Sequence, residues 1–167
     1  MGFKSLLFLS AIIVLALAGC KVYSLSGATI EGKNINIRLL QNKAQNVVPS
    51  LAATLTDKLR SRILSQTGLS PVNRDDADYD LSGDIIGYTV TVTGAQNVQS
   101  ATKNRLTVSI KMVFKNRKNE KGGFTQTFTR FSDFDATQTL QNVETALIED
   151  IGNQLADDIF NKAFVNW

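Results

Sequence analysis

The chain has 167 residues, a formal net charge of +3, 43% hydrophobic and 20% charged residues, eleven glycines and two prolines. These values fit a globular domain and exclude collagen-like or Pro-rich disordered chains. There is no histidine and a single cysteine, Cys20, which removes disulfide frameworks, most nucleophile–base pairs and imidazole or multi-thiolate metal sites.

Lys4 opens a short positive region, and Leu6 to Ala18 form an apolar run of 13 residues. A bilayer-spanning helix needs roughly 20, so residues 1–19 are expected to be a cleaved export signal. The run ends Leu17-Ala18-Gly19-Cys20, the pattern of a bacterial lipobox. Two small residues let a peptidase reach the backbone, and the thiol can receive a diacylglyceryl group. Cys20 is therefore the expected lipidation site, and its covalent acyl chains are the only prosthetic groups expected. One chain holds a membrane marginally, at about 0.8 kcal/mol per buried CH₂, whereas two or three anchor it. Lysine and not aspartate at position 21 resembles the outer-membrane address of bacterial lipoproteins, and the domain is expected to face the periplasm. An exported chain does not ordinarily meet nucleic acid, so its positive charge is assigned to anionic lipid, glycan or protein partners.

Residues 20–33 are expected to be the acylated N-terminus and a tether, and 34–167 one domain. Thirteen extended residues after the cysteine reach at most about 43 Å. Asn34 to Leu39 alternates, with Ile35, Ile37 and Leu39 on one face of a strand. Pro49 and Gly68 bracket a helix whose buried stripe is Leu51, Leu55, Leu59 and Ile63. Asp75 to Asp80 reads as an acidic loop, lacking the spaced ligands of a calcium loop. A strand follows over 79–93, with Gly83 and Gly87 pointing to a bulge. In the next strand Leu106, Val108, Ile110, Met112 and Phe114 face one way, and Arg105, Thr107, Ser109 and Lys111 the other. After a polar turn at 116–123, residues 124–131 form the last strand. A second helix begins between Asp135 and Thr139 and runs to about Phe160, its seam being Leu140, Val143, Leu147, Ile151, Leu155 and Ile159. Phe160, Phe164 and Trp167 are expected to close the core. The order β-α-β-β-β-α predicts an α+β two-layer sandwich, two helices packed on one face of a four-stranded sheet.

If both helices take one sheet face, the other meets solvent or a partner. Residues 101–130 carry eight basic side chains against one acidic. Lys103, Arg105, Lys111 and Lys115 share the parity opposite to the apolar set and project from the uncovered face, as does Arg38 from the first strand. Such a row suits phosphate groups; it equally suits a solvated face with lysines for edge protection. No Gly-rich phosphate loop, nucleophile elbow or histidine motif occurs. Asp157 and Asp158 diverge on a helix by about 100° and cannot share a substrate. Neither catalytic nor metal-ligating residues are expected.

Beyond the lipobox, the chain carries YSLSGATI, a helix ending LSQTGL, NRLTVSIKMVF, FTQTFTRFSDF and the closing IEDIGNQLADDIFNKAFVNW. Over nearly the whole mature chain this resembles the lipopolysaccharide-assembly lipoprotein LptE family, most closely its Bacteroidetes-type branch. The resemblance implies an outer-membrane lipoprotein that plugs the LptD β-barrel translocon. It further implies help in folding that barrel and in placing lipopolysaccharide (LPS) in the outer leaflet. Its implied partners are an LptD-like barrel, LPS and, through the lipid anchor, the membrane. No family motif fixes the LPS contacts, so Lys103, Arg105, Lys111, Lys115 and Arg38 are nominated by geometry. Two other classes remain open: a regulatory lipoprotein activating a peptidoglycan synthase, for which a thirteen-residue tether is short, and a free lipid carrier, which needs an apolar cavity.

Overall fold

The computed structural model describes residues 30–46, 48–93 and 103–165. The expected signal peptide, Cys20, the tether as far as residue 29, and Trp167 lie outside the described residues.

Apolar residues at every fourth position produce helix α1 (Leu51–Thr67), with Leu51, Leu55, Leu59 and Ile63 buried. It ends at Gly68, whose φ of 64° is left-handed, a conformation glycine adopts without the Cβ penalty. Helix α2 (Leu140–Phe164) buries Leu147, Ile151, Leu155 and Ile159 along one side. One mixed sheet carries both helices. Its strands are β1 (Asn34–Ile37), β2 (Gln41–Asn42), β3 (Ser70–Pro71), β4 (Tyr79–Thr93), β5 (Lys103–Asn116) and β6 (Phe124–Asp135). The order is β3-β1-β4-β5-β6, with β2 also pairing β4. The first three strands pair in parallel, and β4, β5 and β6 form an antiparallel meander. The long elements follow the expected β-α-β-β-β-α order; β2 and β3, two residues each, are additions too short to leave a periodic signature.

Leu106, Val108, Ile110, Met112 and Phe114 of β5 share one core with the stripes of both helices, so the two helices lie on the same side. The facing of β4 changes along its length. Tyr79, Leu81 and Ile85 are buried, then Tyr88. The register shift lies between Ile85 and Gly87, beside one of the two glycines that marked a bulge. Tyr88 then points back to the helices and its hydroxyl donates to Glu144 of α2. Burial, reinforced by that carboxylate, pushes the phenol's pKa upward.

Three boundaries differ from expectation. Leu39 is 64% exposed and Leu40 takes its place in the core. β1 stops at Ile37, and a three-residue break before β2 resets which residue faces inward. Thr56 fixes that break: its Oγ1 accepts from the Leu40 amide and donates to the Ala52 carbonyl. β6 runs on to Asp135 because Phe134 is buried opposite Asn104. Asp135 then closes a turn, accepting from both the amide and the hydroxyl of Thr137, and α2 starts at Leu140 with Thr139 as its N-cap, within the expected range. At its other end α2 continues to Phe164, which packs edge-on against Tyr79 and Phe114 at 5.4 Å between ring centroids. Phe160 and Phe164 thus close the core from the C-terminal end.

Gly83 sits where β4 passes beneath the core. A Cβ there would stand 2.5 Å from Met112 Sδ, 2.9 Å from the Lys111 carbonyl and 3.1 Å from Leu40 Cδ2. Gly83→Ala is expected to cost about 1–3 kcal/mol through overpacking, whereas exposed Thr127→Ala stays within about 0.5 kcal/mol. Urea unfolding of the mature chain measures both, and equal midpoints would show that the strand yields freely at this crossing.

Candidate functional site

The sheet face away from the helices is built as cross-strand rungs of β4, β5 and β6. From the hairpin end, Thr93, Lys103 and Asp135 lie side by side, then Thr91, Arg105 and Asp133, then Thr89, Thr107 and Phe131. Gly87, Ser109 and Thr129 follow, then Asp84, Lys111 and Thr127. Lys115 lies opposite Asp80 at the far end. The face is therefore hydroxyl-rich in the middle and charged at both ends. Ser109 and Thr129 hydroxyls share a hydrogen bond of 2.8 Å.

All five nominated cations belong to this side, but they are not equivalent. Arg38 is locked to two carboxylates, with Nη2 2.6 Å from Asp80 and 2.9 Å from Asp75. Asp80 is itself buried and also accepts from Asn36 Nδ2. Arg105 makes a two-pronged pair with Asp133 at 2.7 and 2.9 Å and lies 3.6 Å over the Phe131 ring. That hydrogen bond raises the Arg105 pKa and holds the Asp133 carboxyl below the usual range. Lys103, Lys111 and Lys115 are exposed and outside any ion pair among the described residues. The reason lies in the register. Asp84, across from Lys111, is taken by Lys43 at 2.8 Å, and Asp80, across from Lys115, is taken by Arg38. Lys103 faces Asp135, whose carboxylate is turned to the Thr137 amide and hydroxyl; these hydrogen bonds, with a smaller contribution from the Lys103 charge, lower its pKa.

Aspartates from neighbouring strands thus interleave with the cations, which the one-sided charge count of residues 101–130 did not reveal. Only pairing register brings them together, so no local pattern could have found them. The remaining acids hold structure. Lys118 pairs with Asp78 at 3.0 Å and Arg74 with Asp76 at 3.2 Å, while Arg117 donates to the Asp75 carbonyl. The acidic loop and the basic turn are thereby bound to each other. Beside them a hollow of about 480 Å³ is bordered by Lys115, Arg117 and Glu120. On α2, Asp157 meets Arg62 of α1, and Asp158 meets Arg130 of β6, tying the helix to its neighbours.

The Asp133–Arg105 pair has a signed consequence. A carboxyl with a depressed folded pKa contributes its stability above the free aspartate value, about 3.9, and loses it as pH falls through the lower folded value. Wild type is therefore expected to lose urea resistance below about pH 4. Asp133→Asn should flatten part of that acid limb, with Asp78 and Asp135, also lowered, supplying the rest. Identical limbs in urea titrations at pH 3 to 6 would show that solvent cancels the pair.

The fold is similar to that of a minor lipoprotein from Acinetobacter baumannii, with a TM-score of 0.54, 19% identity, and coverage of 80% of this chain and 93% of that one. It is also similar to a protein from Chlamydia trachomatis, with a TM-score of 0.54, 8% identity and coverage of 80% and 98%. A protein from Xanthomonas campestris gives a TM-score of 0.53, 11% identity and coverage of 80% and 85%. At such identities the likeness speaks for the fold alone. No curated protein sequence matches the chain. The family described as LptE, lipopolysaccharide-assembly, matches residues 32–163. That span takes in both helices and all six strands but for the last residue of α2, and the chain belongs to the LptE family.

Proposed function

We propose that this chain is an outer-membrane lipoprotein subunit of the LPS translocon. Anchored through acyl chains on Cys20, it plugs an LptD-like β-barrel, helps that barrel assemble, and takes part in delivering LPS to the outer leaflet. It acts by binding and shaping, without catalysis. The observation that supports the reading, beside family membership, is the broad hydroxyl-and-charge face of β4–β6 that neither helix covers. A barrel lumen is polar, and a mixed polar face can dock there without burying unpaired apolar surface.

Within that face Lys103, Lys111 and Lys115 are the cations available to LPS phosphates, since none of them is in an ion pair among the described residues. Arg38 and Arg105 already neutralise aspartates and serve as framework, holding the strand ends in register. A phosphate reaching either would have to displace a carboxylate.

Capture of the native lipoprotein in mild detergent is expected to recover an LptD-type barrel, and recovery without any barrel would sink the reading. Replacing Lys103, Lys111 and Lys115 together by Glu is expected to weaken LPS binding, with the largest difference at low ionic strength, where the screening length exceeds about 10 Å. Binding unchanged by this substitution would reduce the three lysines to solubilising groups, and the same change at Arg105 should act more through stability than through LPS.

A further inference from the structure

β4 is flanked on both sides only in its first half. β2 leaves it at the Asn42–Ile85 pair, the Lys43 amide donates to the Ile85 carbonyl, and Asn46 Nδ2 donates to the Tyr88 carbonyl. Beyond that point, no described residue pairs with β4 on the side away from β5. Tyr88 turns its carbonyl outward, so by alternation the backbone groups of Val90 and Val92 face outward as well. The side chains there are bare: Val90 is 43% and Val92 68% exposed.

Unpaired edges are ordinarily guarded by charge, proline, shortness or a bulge. The other edges of this sheet are guarded. β3 has two residues and includes Pro71, and β6 carries Arg130, Asp133 and Asp135. The bulge of β4 lies before the bare stretch, and from Ile85 to Thr93 there is no Lys, Arg, Asp, Glu or Pro. Thr89-Val90-Thr91-Val92-Thr93 is instead an unbroken run of β-branched residues, the composition of a strand set between two neighbours.

We propose that the outer edge of β4, Thr89–Thr93, takes an extended, uncharged segment of the barrel partner as an added strand. This rests on the translocon-plug reading and names the part of the chain that grips. The binding is main-chain hydrogen bonding with Val90 and Val92 as side-chain contacts. A charged segment is disfavoured because nothing on this edge would offset its desolvation. A second copy, pairing edge to edge, would gain a ladder of only about 17 Å, too small by itself for the roughly 1,200 Å² that a stable dimer buries. The barrel brings a larger surface of its own. Thr89, Thr91 and Thr93 belong at once to this edge and to the uncovered face, so the added strand and the docked face are continuous.

The test compares full-length lipoproteins captured from membranes in mild detergent: wild type, Val90→Lys and Val92→Lys. A fourth form carries a photoreactive benzoylphenylalanine at position 92. Both lysine variants are expected to keep the wild-type melting temperature, because these positions are exposed, and to recover about tenfold less barrel. Illumination of the fourth form should crosslink it to the barrel. Undiminished barrel recovery from both lysine variants overturns the edge while leaving the plug reading intact. A crosslink only to another copy of the lipoprotein overturns the barrel as occupant. Absence of any barrel from the wild-type capture overturns the plug reading and the edge together.

Discussion

One-sided packing governs this molecule. Each helix has a single apolar stripe, and both stripes are spent on the same face of the sheet, where Leu106, Val108, Ile110, Met112 and Phe114 meet them. With two helices side by side on one face, no element of the described chain remains to cover the other. The uncovered face must then tolerate water or a polar partner, and its composition follows: hydroxyls on the middle rungs, ion pairs at the ends.

The long strands β4 and β5 carry that arrangement. They pair from Tyr79 and Asn116 to Thr93 and Lys103, and among the described strands β4 joins the parallel first part of the sheet to the antiparallel meander. A single bulged residue, Ile86, divides β4 into two parts. Before it, β4 is enclosed by β1, β2 and β5 and belongs to the core. After it, the strand keeps Tyr88 in the core through its bond to Glu144 but has no outer neighbour among the described residues. The irregularity keeps inward facing correct and coincides with the end of the β2 pairing at Asn42 and Ile85.

Charge on the bare face is organised by register and not by abundance. Arg38 and Arg105 each gain a carboxylate partner from an adjacent part of the sheet, which fixes the side chains and removes them from competition for anions. The lysines across from occupied aspartates keep their charge outward. Long, flexible ammonium groups are suited to such a surface, whereas guanidinium forks are suited to planar carboxylates within it. Membership of the LptE family gives this arrangement its context, since lipopolysaccharide is a phosphorylated lipid.

Much of the fold was legible because it rests on short-range period. Alternation over 106–114 identified β5 and its buried parity, four-residue spacing identified α1, and glycines near position 85 announced the bulge. The failures are equally specific. Leu39 and Leu40 exchange places because Thr56, sixteen residues from Leu40 in the chain, decides where β1 breaks. Asp135, the near limit of the range expected for the start of the second helix, is the last residue of β6, because buried Phe134 draws that strand onward. The lipobox, the net charge and the row of basic residues were properties of the sequence by itself. Which cations are paired, and which stretch of β4 has no outer neighbour among the described residues, emerges only when the strands are assembled. Both depend on contacts between residues some ten to forty positions apart, and a linear pattern records spacing along the chain but not the register in which strands meet.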